Sequence, residues 1–376
     1  MVSLYPQTQQ RPTRRRSGVT LMPRNSERTV WTDAEMLECV SIIPEMDNTA
    51  SFTFKAPSGA LFEYDAGQFM TLEIPVPGGP LHRTYTISSS PSRPRTITIT
   101  AKAQADSIGT RWMLDNLRPG SRIKALGPAG LFTNAGSMAK KFLFISAGSG
   151  ITPMMSMTTN MWDDGDNLDI VFVNCAKRPS EIIFRQRLEQ MASRSEGLDL
   201  KFVVEEPDPY RPWTGYQGMF NQLMLGLMAP DYLEREVYCC GPEPFMQAVR
   251  DALAGLGFDM DNYHQESFHA PVETSAEQPD FDDVVPDDDT KAEVTFAASG
   301  VTAKVAETDT ILAAARANGL NIPSGCTFGV CGTCKVKKTS GEVHMVHNGG
   351  ISDDDIDAGY ILACCSNPIG KVAVDI

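Results

Sequence analysis

The chain has 376 residues, 42% hydrophobic and 21% charged, which is too long for one ordinary core and implies two to three globular domains. Its net charge of −14 argues against general nucleic-acid binding, which needs basic surface to neutralise phosphate. The longest apolar runs, such as KFLFISA at 141–147, are strand-length, so no membrane span is expected. The N-terminus lacks the apolar stretch of an export signal, so a cytoplasmic location is expected. The nine cysteines then read as reduced thiols or ligands and not as a disulfide framework.

Residues 1–30 are basic, with RRR at 14–16 among prolines and polar residues. A membrane or partner contact is one reading, and an unstructured tail is the expected one. Residues 31–138 carry short alternating runs (ASFTFKA, QFMTLEI, RTITITAKA) broken by Gly and Pro, the pattern of an antiparallel β-barrel. From 139 to 268 apolar strands precede helix-like stretches: KFLFISA then PMMSMTTNMW, DIVFVNCA then IIFRQRLEQMA, EVYCCG then PFMQAVRDALAGL. That alternation predicts a doubly wound α/β domain. Residues 269–290 are acidic and proline-bearing with no Lys or Arg, and read as an extended linker. Residues 291–376 mix strands (AEVTFAA, TAKVAE, KVAVDI) with one helix, TILAAARANG, which gives a small α+β domain.

In that last domain CTFGVCGTC at 326–334 spaces Cys326, Cys331 and Cys334 four and two residues apart, and Cys364 follows in LACCS. This is the plant-type [2Fe–2S] spacing. The glycines at 325, 329 and 332 suit a backbone that turns its N–H groups toward sulfur, which calls for positive φ and close approach. A structural zinc site usually pairs two C-x2-C knuckles, and only one is present. Core cysteines would not recur in a glycine-rich loop. Spacing leaves Cys364 and Cys365 open as the fourth ligand. The segment resembles plant-type ferredoxins, whose closing L-A-C motif matches Leu362, Ala363 and Cys364 and so implies Cys364.

HRTYTISSS at 82–90 allows an arginine to pair with phosphate, a tyrosine to lie on a flavin ring and a hydroxyl to bond near its N5. Alone, an R-x-Y-T in a strand is more often an ordinary exposed arginine and packed tyrosine. It resembles the R-x-Y-[ST]-x-x-S signature of the ferredoxin–NADP reductase superfamily, which implies flavin binding by Arg83, Thr84, Tyr85, Thr86 and Ser89. Gly109 and Thr110, in DSIGTRWMLDNL at 106–117, open a helix whose N-terminus is a ready anion site, and the resemblance implies that this turn holds the flavin pyrophosphate. That favours FAD over FMN, a plain capped helix being the alternative. SAGSGITPMMS at 146–156 lacks the third glycine of a general dinucleotide fingerprint. It resembles the superfamily's G-x-G-x-T-P nicotinamide loop through Gly148, Gly150, Thr152 and Pro153, with Pro153 expected at the first helical position. YCCGPEPFM at 238–246 matches its C-G-P motif. This implies that Cys240, with Gly241 and Pro242, places the nicotinamide, while Cys239 packs in the core. HQESF at 264–268 also resembles the superfamily, at the place where its members set a carboxylate and an aromatic, and so implies Glu266 and Phe268 near the flavin. Cys39 and Cys175 read as packed apolar residues. The aspartates at 353, 354, 355 and 357 lack the EF-hand offsets and read as solvated surface.

The domain order resembles the reductases of Rieske-type and other multicomponent oxygenases, and HNGGISDDDIDAGYILACCSNP resembles those of glycine betaine, stachydrine or carnitine-like demethylating monooxygenases. The resemblance implies an NAD(P)H-dependent oxidoreductase that uses FAD and a [2Fe–2S] cluster to deliver single electrons to a Rieske-type oxygenase. A reductase for a hybrid-cluster protein, or an NADH-responsive redox sensor, are the alternatives. Lys177 and Arg178 leave NADPH open beside NADH, which the resemblance favours.

Overall fold

Strands β1 (Leu37–Met46), β2 (Thr49–Lys55), β3 (Phe69–Val76), β4 (Gly79–Thr86), β5 (Ile97–Lys102) and β6 (Arg122–Ala129) form an antiparallel sheet in the order β4-β3-β6-β1-β2-β5. The structure is a computed structural model that describes residues 29–105, 107–165, 168–209, 212–268, 291–327, 329–347 and 349–376. The acidic linker and all but the last two residues of the basic tail lie outside the described residues. An antiparallel bridge from Ile87, just past β4, to Ile99 on β5 joins the two edges and closes the sheet into a barrel, which leaves no open strand edge there. Period-two alternation sends Phe52 and Phe54, Leu72 and Ile74, and Ile97 and Ile99 inward, all fully buried, and each such side chain stabilises the fold by roughly 1.5–3 kcal/mol. Helix α1 (Ile108–Asn116) lies against β3 and β4.

The second domain winds a parallel sheet in the order β10-β9-β8-β7-β11-β12 from β7 (Phe142–Ala147), β8 (Ile170–Ala176), β9 (Leu198–Val204), β10 (Tyr216–Gln217), β11 (Glu236–Cys240) and β12 (Tyr263–Glu266). The strands after β7 first build away on one side, and the chain then returns to set β11 on the other. The crevice between the carboxyl ends of β7 and β11 is therefore a topological switch point, where such sheets bind ligands. Strand alternation gives the sheet two apolar faces. Phe144, Phe172 and Cys240 face α2 (Ile151–Asp164) and α3 (Arg185–Ala192), whereas Leu143, Val173 and Cys239 face α4 (Gln222–Met228) and α5 (Glu243–Gly255). Adjacent cysteines thus point to opposite sides.

Helix α2 docks the two domains together. The Ser156 hydroxyl donates to the Ser89 carbonyl at 2.6 Å, and Arg93 forks onto Asp163 at 2.6 and 2.8 Å. Pro153 is the third residue of this helix, not the first, because a tight 3-10 turn at Gly148–Gly150 precedes it. The position still tolerates proline, since first-turn N–H groups have no partner within the helix.

The third domain is a mixed sheet in the order β14-β13-β17-β15-β16, from β13 (Lys291–Phe296), β14 (Val301–Ala306), β15 (Lys335–Met345), β16 (Tyr360–Leu362) and β17 (Ser366–Val374). Its α6 (Ile311–Ala317) covers one face with Ile311, Leu312 and Ala315. The aspartates at 353–357 form α7 (Asp353–Asp357). Ser352 caps it by accepting the Asp355 N–H, and the acidic first turn complements the helix dipole.

Candidate functional site

Cys326, Cys331 and Cys334 come together with Cys364, which follows β16. Cys326 Sγ accepts the N–H groups of Val330 and Cys331, both at 3.3 Å. Cys331 Sγ accepts the Cys326 N–H at 3.3 Å and the Thr333 hydroxyl at 3.1 Å. Gly329 N–H donates to Cys364 Sγ at 3.3 Å, and Cys364 N–H to Cys334 Sγ at 3.4 Å. The Cys326 thiol also contacts those of Cys331 and Cys364, and Cys364 contacts Cys334. A cage of N–H groups aimed at sulfur is what anionic thiolates around an iron–sulfur cluster need. Among the described residues no three Cys, His, Asp or Glu side chains gather around a single metal position. Gly329 and Gly332 have φ of 74° and 69°, as the loop's turns require. Gly325 does not have positive φ, so its glycine needs another reason. Cys365 Sγ turns toward the Leu362 carbonyl at 3.7 Å.

A cavity of about 530 Å³ lies between the three domains. It is lined by Arg83, Thr84 and Thr86 of β4, by Leu131 and Phe132, by Glu266 and Phe268, and by Cys326 and Val330. A second, of about 480 Å³, shares Arg83, Thr84, Thr86 and Phe268 and extends past Tyr85, Lys102, Ser107 and Thr110. Together they offer an apolar chamber that continues into a polar one with Arg83 and Lys102 at hand. Ser107 caps α1 without a side-chain bond, which leaves first-turn N–H groups for an anion. The Tyr85 hydroxyl bonds Thr110 Oγ1 at 2.9 Å, and burial pushes it up to about 12. Arg83 donates to the His82 carbonyl at 2.8 Å and keeps an exposed guanidinium. Gly109 lets α1 close on the sheet: a Cβ there would meet Ile74, Leu81 and Arg83 at 3.0–3.3 Å.

Thr86 donates to Glu266 Oε2 at 3.5 Å. The Glu266 side chain opens onto the first cavity, yet desolvation by its packed surroundings pushes the carboxyl up to about 8, with the Thr86 hydroxyl opposing. At neutral pH it is a neutral acid, able to donate a hydrogen bond into the cavity. Ser89 is not brought to either cavity. It bonds the Tyr64 hydroxyl at 2.9 Å and accepts the Thr98 N–H at 3.0 Å, so it ties the barrel wall together.

At the switch point, Gly150 lies on the end of β11, where a Cβ would come within 2.1 Å of the Cys240 carbonyl oxygen. Thr152 bonds the Ser149 carbonyl at 3.0 Å and holds the turn. Cys240 pairs in register with Glu266 across β11 and β12, is fully buried in the core on the α2 face, and lines neither cavity described above. A third cavity, of about 330 Å³, is lined by Gly148, Lys177, Phe220, Pro242 and Phe245, together with Cys175, which also packs against the core beneath it. Gly241 lies against Phe245 and Ala147 at the same crevice. Arg178 pairs with Glu206 at 2.8 Å and Lys177 with the same carboxylate at 3.9 Å, so both cations are already partnered. Lys102 was missed from sequence; it lines the second and third cavities and pairs with Glu181 at 3.4 Å. The only signal was a single cation at the end of an alternating strand.

Three family descriptions match in chain order: "Oxidoreductase FAD-binding domain" over residues 38–134, "Oxidoreductase NAD-binding domain" over 144–251, and "2Fe-2S iron-sulfur cluster binding domain" over 294–368. The chain is 65% identical to the stachydrine N-demethylase reductase subunit Stc4 of Rhizobium meliloti, over 94% of this chain and all of that one. It is 44% identical to a glycine betaine monooxygenase reductase subunit of Pseudomonas aeruginosa, over 92% of this chain and 96% of that one. Phthalate dioxygenase reductase shares the three-domain fold, with TM-score 0.59 and 24% identity over 92% of this chain and 100% of that one. Among the described residues no helix is long and apolar enough to cross a membrane. The chain belongs to the family of FAD-, NAD- and [2Fe–2S]-binding reductase subunits that serve monooxygenases.

Proposed function

We propose that this chain takes electrons from NADH and delivers them singly to a Rieske-type oxygenase that demethylates a quaternary amine of the glycine betaine and stachydrine kind. The observation that carries the reading is the pair of adjoining cavities: Thr86, Glu266 and Cys326 line the first, and the second, which shares Arg83, Thr84, Thr86 and Phe268 with it, reaches Ser149 and Thr152 of the nucleotide loop, so a flavin seated there lies between the nucleotide domain and the cluster loop. Bound FAD supplies the conversion of a two-electron hydride into single electrons, and the cluster supplies a one-electron carrier.

The residues set positions and charge. Arg83 and the N-terminus of α1 beside Gly109 and Thr110 hold the pyrophosphate; Tyr85 and Phe268 flank the ring, and Thr84 and Thr86 bound it. Glu266, neutral at pH 7, offers a hydrogen bond toward the ring's N5 side. Gly148, Gly150, Thr152, Pro153, Gly241 and Pro242 shape the nicotinamide crevice. Cys240 is a positioning residue beneath it. Cys326, Cys331, Cys334 and Cys364 hold the cluster. Glu206 occupies the two cations that would greet a 2′-phosphate, which favours NADH. The proposed domain limits are barrel 31–138, nucleotide domain 139–268 and cluster domain 291–376, each enclosing one of the three sheets.

The test combines the purified protein with its oxygenase and measures oxygen uptake with glycine betaine and with stachydrine, using NADH or NADPH as donor. Uptake with NADH and one of these amines supports the reading. No uptake with either amine, while ferricyanide is still reduced, would overturn the partner assignment.

A further inference from the structure

The three glycines of the cluster loop have different reasons. Gly329 and Gly332 have positive φ, whereas Gly325 has backbone angles open to any residue. A Cβ on Gly325 would lie 3.0 Å from Thr71 Cγ2, 3.0 Å from Thr84 Oγ1 and 3.2 Å from Cys331 Sγ. Thr71 and Thr84 are cross-strand partners on β3 and β4, their hydroxyls bonded at 3.0 Å. Thr71 is 1% exposed, so its methyl has little room to retreat. The backbone at 325 therefore rests directly on the flavin barrel. Gly349 makes a second such contact: a Cβ there would come within 2.4 Å of Leu131. Thr84, Leu131, Gly325 and Cys326 all border the same cavity.

We infer that Gly325 is a positioning residue for electron transfer, and that its missing side chain lets the Cys326 end of the cluster loop close onto the Thr71–Thr84 pair. The inference rests on the cluster assignment above. In the step concerned, the NADH-reduced flavin loses one electron and the cluster gains it, so no further reactant is needed. Transfer depends steeply on separation, and the 325 contact sets that separation. Alanine forces a shift of a few tenths of an ångström, and the branched methyls of valine force more.

The test compares Gly325→Ala and Gly325→Val in the full-length holoprotein. Anaerobic stopped-flow with NADH resolves a flavin-reduction and a cluster-reduction phase, and the ratio of the two rates is the readout. The cluster-reduction phase should slow modestly in the alanine variant and several-fold in the valine variant. The visible spectrum and reduced-state EPR signal should stay intact. Hydrogen exchange should rise in segment 324–331 and at β3–β4, where the contact is lost. Adding Thr71→Ser, which deletes the facing methyl, should restore part of both the rate and the protection. Wild-type cluster reduction and unchanged exchange in Gly325→Val would overturn the inference. Should that variant lose its cluster, the cluster signals report it directly. Thr71→Ile, which pushes from the barrel side without touching the loop, then decides: slowed cluster reduction with an intact spectrum supports the contact, and a wild-type rate refutes it.

Discussion

Replacing Glu206 with glutamine should shift the nucleotide preference toward NADPH. In the wild type Arg178 donates to Glu206 at 2.8 Å and Lys177 stands at the 3.9 Å limit, with side-chain exposures of 42% and 59%. Pairs this exposed contribute at most about 1 kcal/mol each in solvent, so their loss costs little stability. The melting temperature should fall by no more than about 3 °C. Freed, the two cations can meet a 2′-phosphate, and a like charge that repelled it is gone. A gain of about 1–2 kcal/mol corresponds to a roughly 5- to 30-fold change in relative affinity. The assay is steady-state ferricyanide reduction with each nucleotide, read as the ratio of kcat/KM for NADPH to that for NADH. The ratio should rise within that range, with NADH little changed. An unchanged ratio would show that Lys177 and Arg178 do not face the 2′ position.

Cys364→Ser should abolish the cluster's visible absorption and reduced-state EPR signal, whereas Cys365→Ser should leave both; the reverse outcome would move the fourth ligand by one residue. Arg83→Ala should weaken FAD retention on gel filtration, because the pyrophosphate loses a charged partner, and retention equal to wild type would refute that role. Gly150→Ala places a Cβ 2.1 Å from a backbone oxygen; it should cost at least about 1–3 kcal/mol and slow NADH-driven flavin reduction, both measurable by melting and stopped-flow. Glu266 is raised to about 8 in the fold. Between its unfolded value near 4.3 and 8 the folded state holds the extra proton, so stability falls as pH rises, by at most about 1.4 kcal/mol per unit. Melts from pH 5.5 to 8 should show this slope in the wild type and lose it in Glu266→Gln, and parallel curves would contradict the raised value.

Local patterns made much of this legible. The alternation in QFMTLEI and RTITITAKA gave the barrel strands, since period two survives wherever one face is buried. The x4–x2 cysteine spacing is set by how one short loop wraps a cluster, so it could be read directly. Contacts between distant segments left no such trace. Gly325 reads like its loop neighbours in sequence, and only the fold brings Thr71 against it. Ser89 fits a motif, and in the fold it lies in a bend past β4 where it bonds Tyr64 and Thr98. Leu131 and Lys102 reach their cavities only through domain packing. Pro153 moved two places along its helix because the glycine turn before it winds tighter than a plain N-cap.

The central claim is that electrons pass from the nucleotide through the flavin to the cysteine cluster and leave from there. Anaerobic mixing of the full-length protein with NADH, followed at flavin and cluster wavelengths and by rapid-freeze EPR, tests it most directly. Flavin bleaching should come first, then loss of cluster absorption together with a reduced-cluster signal, and Cys331→Ser should keep the first phase while losing the second and all delivery to the oxygenase. A cluster that stays oxidised beside fully reduced flavin, or an oxygenase served equally well by Cys331→Ser, would contradict the account.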